Sequence, residues 1–117
     1  MLDDKHASFN VLFIEDNIEY ANVLKRRLLE ATHPVFHIEH VHDLRQGFDC
    51  LSAGKTDIIL LDLTLPDSKG LDTLIQVRAY APEIPVVIST ALDDEITGIE
   101  AVRQGADDYL VKGRIDR

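Results

Sequence analysis

The sequence predicts an α/β fold, a doubly wound parallel sheet of five strands in the order 2-1-3-4-5, and three observations carry that expectation. Apolar, strand-like runs recur about every two dozen residues, the length of one strand plus one crossover helix. Between them, apolar residues step by three and four, so each intervening segment has one face for a sheet. The second run mixes in charge and reads as an edge, whereas the first, third and fourth are apolar on both faces, as central strands covered by helices must be. Right-handed crossovers around an edge second strand then favour this order, with a switch point between strands 1 and 3.

The elements follow in turn. Val11 to Ile14 is the first strand, and Ile18, Ala21, Leu24 and Leu28 mark the sheet-facing side of helix 1, with Asn17 near its start. Val35 to Val41, carrying His37, Glu39 and His40, is the edge strand. Asp43 opens helix 2, whose face is Leu44, Phe48 and Leu51; Cys50 is a small residue within it, and Gly54 lies near its end. Ile58 to Leu61 is strand 3, and Leu71, Leu74, Val77 and Ala81 give helix 3, closed near Pro82. Ile84 to Ile88 is strand 4. The acids Asp93, Asp94 and Glu95 open helix 4, whose expected inner face is Ile96, Ile99, Val102 and Ala106, with Gly105 near its end. Tyr109 to Val111 is strand 5. A fifth helix should cover the same face as helix 1, yet only five residues, Gly113 to Arg117, remain; that helix is expected to be absent or truncated, and the chain a fragment of a longer protein. The organisation expected is an N-terminal extension over 1–8 and one domain over 9–117.

Composition narrows the function. The 117 residues suit one domain, and 45% hydrophobic with 28% charged residues excludes a disordered or fibrous chain. A net charge of −9, with Lys25, Arg26 and Arg27 as the longest basic run, argues against direct nucleic-acid binding and against an anionic membrane. The single Cys50 permits no internal disulfide, and no leader or membrane-length apolar run is present, so a cytoplasmic location is expected.

Chemistry concentrates at the strand ends, where open parallel sheets bind ligands at the switch point. Strand 1 ends in Glu15 and Asp16 and strand 3 in Asp62. Three carboxylates converging there repel one another, and a divalent cation of the magnesium type, which takes hard oxygen ligands, removes that repulsion. Singly, each acid has a duller use as a helix cap or a loop acceptor. Ser89 and Thr90 end strand 4 and Lys112 follows strand 5, bringing a hydroxyl and an ammonium to face the acids, a set suited to phosphoryl transfer.

These residues sit in longer motifs: Glu15-Asp16; Leu61-Asp62-Leu63-Thr64-Leu65-Pro66-Asp67 with Gly70 behind it; Pro85-Val86-Val87-Ile88-Ser89-Thr90-Ala91; and Gly105-Ala106-Asp107-Asp108-Tyr109-Leu110-Val111-Lys112. In that order, over Val11 to Gly113, they resemble the receiver domains of two-component response regulators, which have a flavodoxin-like sheet. The resemblance implies a phosphorelay switch in which Asp62 is the phosphoacceptor, attacking the phosphohistidine of a sensor histidine kinase or phosphotransfer protein to form an acyl phosphate. It implies Mg2+ held by Asp16, Asp62 and the backbone carbonyl of Thr64, with Glu15 acting mainly through metal-bound water. Thr90 would bond the phosphoryl group, Lys112 would pair with its oxygens, and Tyr109 would move inward as the switch aromatic. Beyond magnesium-dependent self-phosphorylation and slow self-dephosphorylation, no enzyme activity is implied.

Some residues depart from the family pattern. Gly113 stands where many members have proline, and a cis bond before a non-proline costs about 2.5 to 4 kcal/mol, so a trans Lys112-Gly113 bond is expected. Glu15 replaces an aspartate used by many relatives. His40 and His42 share a face of the edge strand and its exit, but solvation or packing suits them better than a metal. Tyr20, Lys25 and Arg26 on helix 1 are candidate partner contacts, and the helix 4 and strand 5 surface is a candidate homodimer face. The alternatives are an unphosphorylated interaction module of the same fold, which the intact acid, hydroxyl and lysine set opposes; an aspartyl phosphohydrolase of the haloacid-dehalogenase kind, which needs an aspartate where Thr64 stands; and a flavin site, which needs a hydroxyl- and glycine-rich loop where Asn17-Ile18-Glu19-Tyr20 stands.

Overall fold

Val11 to Ile14, Ile58 to Leu61 and Val86 to Ile88 have almost no polar face to offer water, and in the computed structural model, which describes residues 8–30 and 34–112, they form the middle of a parallel sheet. The strands are β1 (Ser8–Ile14), β2 (Val35–Val41), β3 (Ile58–Asp62), β4 (Val86–Thr90) and β5 (Asp108–Val111), in the order β2-β1-β3-β4-β5. The helices are α1 (Ile18–Leu29), α2 (Leu44–Ser52), α3 (Leu71–Tyr80) and α4 (Glu95–Arg103), the last preceded by a 3-10 turn over Leu92–Asp94. The doubly wound topology is therefore as expected. The fifth helix and the Lys112-Gly113 bond lie outside the described residues.

Two apolar layers hold the sheet. On one face Leu12, Ile14, Ile59, Leu61 and Ile88 pack under Leu44 and Leu51 of α2, Leu74 and Val77 of α3, and Ala101 of α4. On the other, Val11, Phe13 and Leu60 pack under Ala21 and Leu24 of α1, with Val87 and Leu110 half-buried beside them. The edge strand β2 alternates exposed and half-buried positions up to buried Val41, as its charged residues require.

β3 and β5 are each one residue longer than expected, ending at Asp62 and beginning at Asp108, and β1 and β4 differ by more. β1 begins at Ser8, because its polar start is paired in full with β2 and Asn10 is satisfied at the other side, its amide donating to Asp57 Oδ2 at 2.8 Å and its side chain to Lys55 O at 2.9 Å. β4 starts at Val86 and runs to Thr90. Pro85 has no N–H to give the ladder, and only its carbonyl is used, accepting from the Ile59 amide at 2.9 Å.

Helix 4 carries the larger correction. Ile96, Ile99 and Val102 face outward, Ile96 at 82% exposure, and the buried residues of the helix are Gly98 and Ala101. The cause is the space already filled beneath it: a β-carbon at Gly98 would stand 2.8 Å from Tyr109 Cδ2 and 3.0 Å from Thr90 Cγ2. Ile18 of α1 is likewise exposed rather than facing the sheet.

Side-chain caps fix the starts of α1 and α2. Asn17 Oδ1 accepts from the Tyr20 amide at 3.0 Å and Asp43 Oδ1 from the Gln46 amide at 2.8 Å. The first two amides of α2, Leu44 and Arg45, are taken by the carboxylate of Asp67, at 2.9 and 3.1 Å, so the loop after β3 is pinned to a helix 22 and 23 residues away in sequence. Asp67→Ala is expected to cost about 1–2 kcal/mol by freeing both amides, measured as a shift of the urea midpoint with unchanged slope. A shift below about 0.5 kcal/mol would show that water replaces the carboxylate.

Candidate functional site

Alternation along the strands decides which side chains meet. Phe13 and Leu60 point toward α1, so Glu15 and Asp62, two residues further on, continue to that side. Val87 and Leu110 do the same, and Ser89 and Lys112 follow them. The register aligns Ile14 with Leu61, Asp62 with Ser89, and Ser89 with Leu110, so these groups crowd one end of the sheet at the switch point. Thr90 and Tyr109 fall on the opposite side, toward α4.

Oxygens of Glu15, Asp16 and Asp62 all lie within 4.8 Å of one another. Lys112 Nζ stands 2.9 Å from Glu15 Oε1 and 3.4 Å from Asp62 Oδ2. Asp62 Oδ1 accepts from the Thr64 amide at 3.0 Å, and Glu15 Oε2 from the Asn17 amide at 3.1 Å. Glu15 is fully buried, Asp62 is buried and Asp16 is exposed, so the cluster opens to solvent on the Asp16 side. Asn17, Thr64, Ser89, Thr90, Ala91 and Asp94 complete the cleft.

Burial, followed by the Asp62 carboxylate, pushes Glu15 up to about 7, against the pull of Lys112. The two carboxylates hold the Lys112 ammonium above the ordinary lysine value although burial opposes them. The site is thus short of positive charge.

A hard dication fits what the residues offer. Glu15 Oε1 is buried with the Lys112 ammonium at 2.9 Å as its one partner, and two further carboxylates adjoin it, so the oxygens present outnumber the positive charge that serves them. Two ligands of one magnesium ion stand at most about 4.2 Å apart, close to the spacing of these oxygens, and an acid left slightly outside that reach would bind through water. Among the described residues no other group of three His, Cys, Asp or Glu is placed to hold a metal.

The remaining expected residues are placed as follows. Thr64 lines the cleft, pairing in a bridge with Lys69. Thr90 is buried, its hydroxyl 3.5 Å from the Leu110 carbonyl, and its own carbonyl accepts from the Lys112 amide at 2.7 Å. Tyr109 is half-buried, its hydroxyl donating to Glu95 Oε2 at 2.7 Å. His40 and His42 do share a face, with rings 4.8 Å apart, but His40 Nε2 is 2.7 Å from the Glu15 carbonyl, which occupies that nitrogen. Burial lowers the His40 pKa, in keeping with a neutral ring donating to that carbonyl. His40 thereby steadies the end of β1, a role that a single strand's sequence does not signal.

The motifs and the geometry have a common counterpart among known proteins. The response regulator receiver domain family matches residues 11–116. The swarming motility regulation protein RssB of Serratia marcescens is 38% identical over 103 residues, 88% of this chain and 46% of that protein. The probable transcriptional regulatory protein SilR of Salmonella typhimurium is 32% identical over 87% of this chain and 43% of its own length. The chain spans less than half the length of these curated relatives. Among solved structures, the receiver domain of the Francisella response regulator 1452 superposes with a TM-score of 0.75 at 27% identity, covering 89% of this chain and 84% of that one. A two-component response regulator from Clostridium difficile, at 24% identity, gives 0.76 over 90% and 84%. The chain belongs to the response regulator receiver domain family, whose members act as switches in phosphorelays. Among the described residues no helix is long and apolar enough to cross a membrane.

Proposed function

We propose that Asp62 accepts a phosphoryl group from the phosphohistidine of a sensor histidine kinase or phosphotransfer protein. One observation supports it above the rest: a lysine ammonium within 3.4 Å of a buried aspartate that two more carboxylates adjoin, at the carboxyl ends of adjacent strands. An Asp62 oxygen attacks phosphorus, the P–N bond breaks, and the departing imidazole keeps the electron pair of that bond, leaving an acyl phosphate on the protein. Asp16, Asp62 and the Thr64 carbonyl would hold Mg2+, with Glu15 behind it, and the ion would offset the charge gathering on phosphoryl oxygens. Lys112 pairs with those oxygens and Thr90 turns its hydroxyl toward them, leaving the weak 3.5 Å contact with Leu110. Tyr109, behind Thr90 against Gly98, responds to that movement. Self-phosphorylation and slow hydrolysis are the only chemistry of this domain, which takes in Ser8 at the start of β1 as well as the expected 9–117, works in the cytoplasm and does not itself bind nucleic acid.

Intact mass after incubation with acetyl phosphate and magnesium tests the reading. One phosphate should add to the native chain and none to Asp62→Asn. Equal gain in both proteins, or gain in neither, rejects Asp62 as the acceptor and favours an unphosphorylated interaction module.

A further inference from the structure

Lys112 touches a third group that the acid cluster does not explain. Its Nζ lies 4.9 Å from the centroid of the Tyr20 ring, within cation–π range. Tyr20 is itself fixed from several directions. Its amide is capped by Asn17 Oδ1 at 3.0 Å, its ring meets Phe13 edge-on at 6.2 Å, and its hydroxyl oxygen accepts from Ser89 Oγ at 3.3 Å. Asn17 in turn donates its amide to Glu15 Oε2, so the first turn of α1 carries the ring and one of the carboxylates as a unit.

We infer that Tyr20 is a positioning residue for Lys112, its ring holding the ammonium at the acid cluster where a phosphoryl group on Asp62 would receive it. Lysine is a point charge on four flexible carbons, and its ion pairs here are to Glu15 and Asp62. Those are the groups whose charge a dication would neutralise. Once they are neutralised, the ion pairs weaken, whereas the attraction of an aromatic face for an ammonium remains. The ring thus retains the lysine when the site is loaded, and the Ser89 bond keeps the ring from turning away. Because the last step rests on phosphorylation at Asp62, the test has one arm that does not.

The variants are Tyr20→Phe, which keeps the ring and loses the hydroxyl, and Tyr20→Leu and Tyr20→Met, which lose the aromatic face; melting midpoints select among them for folded protein. The first arm is the NMR shift of the Lys112 ε-methylene protons, in metal-free and magnesium-loaded protein. These protons should be displaced upfield by the ring in native and Tyr20→Phe protein, and move back in Leu or Met. The second arm is the rate of phosphate uptake from acetyl phosphate at saturating magnesium. It should fall about five-fold in Leu or Met, equivalent to about 1 kcal/mol, and stay within about two-fold in Phe. An unchanged methylene shift, or a native uptake rate in Leu or Met, overturns the inference. If native protein takes up no phosphate, the acceptor reading fails, and the methylene shift alone decides whether Tyr20 holds Lys112.

Discussion

In metal-free buffer the protein is expected to lose stability as the pH rises from about 4.5 to about 7, and magnesium to restore it. Native Glu15 keeps its proton up to about 7, whereas an unfolded glutamate releases it near 4.5. Between these values the native state binds more protons than the unfolded state, so stability falls as pH rises; below the window Glu15 contributes nothing, and above it the loss is constant. The size of the effect is on the order of 2 kcal/mol. Magnesium favours the ionised carboxylate, so its stabilisation should grow across the same window and be small near its lower end. His40 contributes the opposite slope near its ordinary value, because the unfolded ring protonates more readily than the buried one. Glu15→Gln retains His40, so the difference between its urea midpoints and those of the native chain isolates Glu15. A magnesium effect equal at about pH 5 and about pH 8 would remove Glu15 from the metal site.

Arg78→Ala is expected to destabilise the protein strongly for a change outside the apolar core, by about 2 kcal/mol. From α3 this guanidinium donates to the Ile84 carbonyl at 2.8 Å, to the Gly105 carbonyl at 3.0 and 2.6 Å, and to Asp107 Oδ2 at 2.7 Å. Asp107 Oδ2 also accepts from the Val86 amide at 2.8 Å, and that bond, with Arg78, holds the carboxyl below the usual aspartate range. One side chain therefore ties α3 to the entry of β4 and to the turn between α4 and β5. Alanine removes the donor from two carbonyls and leaves Asp107 with the Val86 amide alone. Lysine cannot reproduce the planar fork, so Arg78→Lys should recover less than half of the loss. Equilibrium urea unfolding checks both variants, and a loss under about 1 kcal/mol for alanine would mean that solvent satisfies these acceptors.

What could be read in the sequence and what could not divides along physical lines. The central strands were legible because residues buried on both faces leave a continuous apolar run, and Glu15, Asp16 and Asp62 because each follows such a run at the ligand-binding end of a parallel sheet. Helix 4 departs from its sequence pattern because two faces compete there. The spacing of Ile96, Ile99 and Val102 imitates a core stripe, while the true inner face is made of residues too small to announce themselves. The Asp67 bonds to α2, the His40 bond to the Glu15 carbonyl, the Tyr20 and Ser89 pair and the Arg78 fork were invisible for another reason. Each joins elements far apart in the chain, and polar residues in these positions have equally good local uses as caps or solvated side chains. Tyr20, a candidate partner contact on α1, stands beside Lys112 as well, a proximity the helix sequence does not announce.

Gly98 has a mechanical consequence. A rod whose buried side is a glycine and an alanine interlocks little with its support, and the Glu95 bond to the Tyr109 hydroxyl is a polar tie that couples it to the strand below. A rotation of the threonine or the phenol below it is therefore expected to pass to the helix as a whole, there being few interlocking side chains to absorb it. The hydrocarbon on its outer side travels with it, at the far end of the lever.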